Sequence, residues 1–76
     1  MNLKQSISIM KKEVKNKYAQ AYLTSLNDVV EADGMHGLLI QIKYIRENIK
    51  SWRGGSSKEV KEFLKKWITE KESEIK

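Results

Sequence analysis

No proline interrupts this chain, and its four glycines fall in two pairs, Gly34 with Gly37 and Gly54 with Gly55. Gly and Pro are the strongest local breakers of regular structure, so the punctuation leaves three long uninterrupted segments. In the first, Leu3, Ile7, Met10, Val14, Tyr18, Tyr22, Leu26 and Val29 recur every three or four residues. That spacing is one stripe of a helix and not the alternation of a strand. It predicts a single helix over about 3–32, about 45 Å long at the standard rise, closed at "EADG" by Gly34. A second helix is predicted over about 35–52, with Leu38, Ile42, Ile45, Ile49 and Trp52 in heptad spacing. The third begins at "SSKE", where Ser56 and Glu59 have the spacing of a capping box, and runs over about 57–74. Val60, Phe63, Leu64, Trp67 and Ile68 form its apolar face. The expected architecture is all-α, one helical domain spanning 1–76.

The predicted lengths do not match. A second helix of about 18 residues covers only about 27 Å of the first, which leaves Leu3, Ile7, Met10 and Val14 without a partner in an antiparallel pairing. With 76 residues, no Cys and a single His, the usual supports of a small core reduce to oligomerisation. The chain is therefore expected to form a homo-oligomeric bundle, with the stripe Leu3, Ile7, Met10 and Val14 as one contact; the alternative is that residues 1–14 bend at Asn16 or fray.

Placed about 100° apart around a helix, the residues of the second segment sort onto three faces. Leu38, Ile42, Ile45, Ile49 and Trp52 form the core side. Lys43, Arg46, Lys50 and Arg53 form one flank, and Ile40, Gln41, Tyr44, Asn48 and Ser51 form the other, without a charge. Uncharged hydrogen-bonding tips and an aromatic suit a contact better than a solvated face, so this flank is a second candidate interface. Two readings of it stand side by side. Gln41, Tyr44 and Asn48 bond to neighbouring helices or to a symmetry mate and fix register, or the same groups hold a small ligand in an oligomer.

Net charge is +5, unevenly spread. Residues 1–20 carry five Lys against one Glu, 21–37 carry three acids and no Lys or Arg, and 56–76 carry six Lys against five Glu. Lys11, Lys12 and Lys15, with Lys43, Arg46, Lys50 and Arg53, offer a phosphate-tracking face, so a basic nucleic-acid-binding regulator is the alternative reading. A helix-turn-helix around Gly54 is disfavoured because the third helix would bring Glu59, Glu62, Glu70, Glu72 and Glu74 to the phosphates.

Catalytic, metal and cofactor chemistry have no support. "DGMHG" places His36 beside Glu31 and Asp33, yet a calcium loop would need acids where Val29 and Ile40 stand. "RGGSSK" lacks the spacing of a phosphate loop, and there is no thiol nucleophile. No segment approaches the about 18 apolar residues of a membrane span, so a cytoplasmic, non-enzymatic protein is expected.

The stretch "GLLIQIKYIRENIKSWRGGSSKEVKEFLKKW", residues 37–67, resembles small helical proteins of phages and prophages, in which Gln, Tyr, Asn and Trp-Arg-Gly on one helix precede a Lys/Glu-rich one. The resemblance implies no particular activity. It implies a mobile-element setting, where such proteins bind a host protein stoichiometrically as inhibitors or adaptors. The leading expectation is thus a small helical interaction protein whose partners are itself and a host or phage protein.

Overall fold

The computed structural model describes residues 1–75, the last of them for its backbone alone. All regular structure within that range is helical: α1 (Leu3–Glu13), α2 (Lys17–Thr24), α3 (Leu26–Asn48) and α4 (Ser57–Ile75). The predicted all-α class is observed. The predicted 3–32 helix is not continuous, and each break has a local cause.

At the first break Val14 and Asn16 are extended (ψ 124° in both), and the Asn16 side chain accepts from the amides of Tyr18 and Ala19, starting α2. Across the corner, Gln20 Nε2 donates to the carbonyls of Met10 (3.1 Å), which also accepts from the Val14 amide, and of Val14 (2.6 Å), so a side chain supplies a donor to the acceptors at the end of α1. The second break is the single residue Ser25, whose hydroxyl donates back to the carbonyls of Ala21 and Tyr22. Gly34 breaks α3 internally, with φ 61° and ψ −142°. L-residues rarely adopt that backbone, so the glycine divides α3 into an N-terminal arm, 26–33, and a C-terminal arm, 35–48.

These breaks fold the first half of the chain back on itself. A 45 Å helix would exceed the molecule's longest dimension, 33 Å. The radius of gyration is 11.7 Å, against about 11.4 Å expected for a compact chain of this length. Met10 and Val14, expected to be uncovered, are buried in the chain's own core, with Leu3 and Ile7 packed against its edge. The expectation that this stripe lacks a partner is therefore corrected. Helical phase also resets at Asn16: Ala19 and Leu23 are buried where the continuous stripe would have buried Tyr18, which is 70% exposed.

The C-terminal arm of α3 is central, between α2 and α4. Ile42, Ile45 and Ile49 are fully buried, as are Val60 and Leu64 of α4, with Ile68 almost so. Leu39 occupies the core position expected of Leu38, which is half-buried, and Trp52, Phe63 and Trp67 pack at the margin. α3 ends at Asn48, short of Trp52, and Lys61 Nζ donates to the carbonyls of Lys50 and Trp52. A lysine at this position suits the negative end of a helix. The expected Ser56/Glu59 box does not form among the described residues. Instead Ser57 donates to the Gly54 carbonyl from both its amide and its hydroxyl. A capping box forms at the start of α1, between Asn2 and Gln5.

Candidate interaction surface

α2 and the N-terminal arm of α3 run one way, and the break at Gly34 returns the C-terminal arm alongside them. Three contacts set the register. Gly37 lies against Val29 and Asp33, so closely that an added Cβ would sit 2.6 Å from Asp33 Cβ and 2.9 Å from Val29 Cγ1. Gln41 Nε2 donates to Ser25 Oγ (2.9 Å) and the Tyr22 carbonyl (3.3 Å). Next along, the Tyr44 ring stacks on Tyr22, with centroids 5.6 Å apart and planes at 26°. The seam between the two antiparallel strands of helix thus closes in sequence order 37, 41, 44.

The uncharged flank divides here. Gln41 is buried and bonded within the chain, as in the register-fixing reading. Asn48 Nδ2 bonds the Tyr44 carbonyl one turn back and is half-buried, while Ser51 is exposed. Tyr44 is 50% exposed and Ile40 37%. Tyr18, one turn before Tyr22 on α2, adds the most exposed aromatic ring of the chain's described residues. Its role was hidden in the sequence by the assumed continuity of the first helix. The cap residue Asn16 was the available signal, since Asn favours helix starts over helix interiors.

Beyond Asn48 the seam opens into a cleft of about 280 Å³ lined by Glu13, Lys15, Asn16, Asn48, Trp52 and Arg53 among others. Gly54 is needed here for space and not for its backbone freedom: a Cβ would lie 2.7 Å from the Trp52 indole nitrogen and against the Glu13 carboxylate. That indole N–H is buried and has no hydrogen-bond partner among the described residues.

The basic residues do not form one face. Lys15 and Arg53 meet at the cleft, and Lys11 and Lys12 are exposed at the end of α1. On the other side of α3, Lys43 pairs with Glu72 of α4 (2.8 Å) and Lys50 with Glu47 (2.9 Å), while Arg46 lies in a mixed groove with Lys43, Glu47 and Glu72. The Glu47 carboxyl is held below the usual carboxylate range, first by its hydrogen bond to Lys50 and then by the Lys50 charge.

Among the described residues there is no cluster of three metal-binding side chains and no helix long and apolar enough to cross a membrane. No family model, curated protein or solved structure matches the chain.

Proposed function

We propose that this protein acts by stoichiometric binding without turnover, docking a protein partner on the α2–α3 seam. The observation that carries this reading is the tyrosine platform: Tyr22 stacked on Tyr44, with Tyr18 and Tyr44 open to solvent and Ile40 at its edge. Large, stiff side chains with a polar tip are enriched at the centres of protein interfaces, because they bury much area at little conformational cost. The platform is preorganised, since Gln41 ties the backbone beneath it. The resemblance of residues 37–67 to small phage and prophage proteins supports a host or phage protein as partner.

A second reading has one observation in its favour. Lys15 and Arg53 share a cleft next to the platform, and cations beside exposed aromatics suit single-stranded nucleic acid. Against it, Lys43 and Lys50 are already paired with glutamates. Capture from the natural host with the wild-type chain, alongside Tyr18→Ser/Tyr44→Ser as control, tests the protein reading. A specific protein retained by the wild type and lost by the control is expected. Tyrosine-dependent, salt-steep binding of single-stranded oligonucleotide, with no such protein, would overturn it in favour of the second reading.

A further inference from the structure

The seam has a charge polarity that suits one occupant in particular. At one end stands the acidic arm of α3, with Asp28, Glu31 and Asp33 all exposed, and Asp33 placed beside Gly37 on the seam itself. At the other end stand Lys15 and Arg53, which outnumber the one acid, Glu13, that lines the same cleft. None of Asp28, Glu31, Asp33, Lys15 and Arg53 makes an ion pair among the described residues. Tyr44 lies between: it is seven residues from Gly37, about 10 Å along the helix, and four from Asn48, about 6 Å.

A surface that is positive at one end, negative at the other and aromatic in the middle is complementary to itself when rotated by 180°. We infer that a second copy of this chain occupies the seam, in an antiparallel two-fold pair centred on Tyr44, with Lys15 and Arg53 of each protomer opposite Asp33 of its partner. This rests on the reading of the seam as a protein-docking surface and names the docked protein. In such an isologous contact each favourable pairing occurs twice, and the central tyrosines meet their own symmetry copies. Two helices side by side, each about 10 Å wide, present about 400 Å² over about 20 Å of length. The pair buries about 800 Å², below the about 1,200 Å² of standard stable complexes. The dimer is therefore a weak one that forms and dissociates with concentration, which leaves the seam available to another protein when the chain is dilute.

Sedimentation equilibrium over about 1 µM to about 1 mM, spanning the weak-affinity range, should show the mass rising from one chain toward two, with the midpoint moving to higher concentration as salt is added. The decisive test is a charge exchange. Lys15→Glu/Arg53→Glu makes both ends acidic and Asp33→Lys weakens the acidic end, so each variant alone should associate at least several-fold more weakly than the wild type. Mixed in equal amounts, they should recover a heterodimer. Circular dichroism on each variant confirms that the fold is kept, and Tyr44→Asp serves as an independent disruption at the centre. A mixture no more associated than its components, from a wild type that does dimerise, overturns the antiparallel pairing. A wild type that remains monomeric at the highest concentration overturns the second copy as occupant. Neither of those results touches host-protein capture through Tyr18 and Tyr44, which stands or falls by its own control.

Discussion

The two sides of the C-terminal arm of α3 hold their neighbours by different physics. Toward α4, Ile42, Ile45 and Ile49 join Val60, Leu64 and Ile68 in an apolar core, with the exposed Lys43–Glu72 pair only at its rim. Toward α2 and the N-terminal arm of α3, the same arm adds to the buried Ala19 and Leu23 two hydrogen bonds from Gln41, one ring stack from Tyr44 and one close approach of Gly37 to Val29 and Asp33. Apolar contact is nondirectional and proportional to area, whereas hydrogen bonds and stacks demand particular geometry. The α4 side supplies stability, and the α2 side supplies register and a surface of defined shape.

The comparison can be broken most severely on the apolar side. Ile45→Ala or Leu64→Ala should cost about 2–5 kcal/mol, a large part of the stability of a domain this small, read as a fall of more than about 10 °C in melting temperature. A loss under about 1 kcal/mol would mean that this side is looser than its burial implies. On the seam, Gly37→Ala forces a methyl group against Asp33 and Val29 and should destabilise by about 1–3 kcal/mol, even though alanine favours helices more than glycine does. An increase in melting temperature would show that the two arms of α3 part easily.

Gln41→Ala should cost less, about 1–2 kcal/mol, because Ser25 still has its own chain's carbonyls to donate to. Its sharper readout is local: faster amide exchange in α2 with α4 protection unchanged. Uniform loosening of all four helices would erase the distinction between the two sides. The smallest effect belongs to Glu47, whose side chain is exposed. Its lowered carboxyl contributes stability above the carboxylate's unfolded pKa, and that contribution is lost as pH falls through the folded value. Glu47→Gln should therefore slightly flatten the acid limb of stability below about pH 5 and leave neutral pH almost unchanged, because exposed ion pairs are weak. A large change at pH 7 would show that the Lys50 pair matters more than exposure allows.

Helical content was legible because the apolar residues keep helical period through each segment, and the core residues Ile42, Ile45, Ile49, Val60, Leu64 and Ile68 could be named from that period alone. The helix stop at Gly34 was legible for a similar reason, since only the local backbone is involved. The first helix was misread because period persists across a corner: Leu3 to Val14 and Leu23 to Val29 each keep the spacing, and nothing in the spacing records the change of direction at Asn16. The site suffered from the same gap. Gln41, Tyr44 and Asn48 stood out as a flank without charge, but whether each turned to a neighbour or to solvent depended on where α2 had gone.

By itself, then, the sequence determined the all-helical class, the helix stop at Gly34, most of the core face of the two later helices and the polarity of charge along the chain, because all of these depend on residues near one another. Only the tertiary structure decided that Met10 and Val14 are covered from within, that Gln41 is a tie and Tyr18 a surface, and that Lys15 and Arg53 share a cleft. These are meetings between residues far apart in the chain, Lys15 and Arg53 by 38 positions. They depend on the corner at Asn16, tied by Gln20, and on the reversal at Gly34, tied by Gln41 to Ser25, and such ties bond in space to groups that a linear pattern does not align.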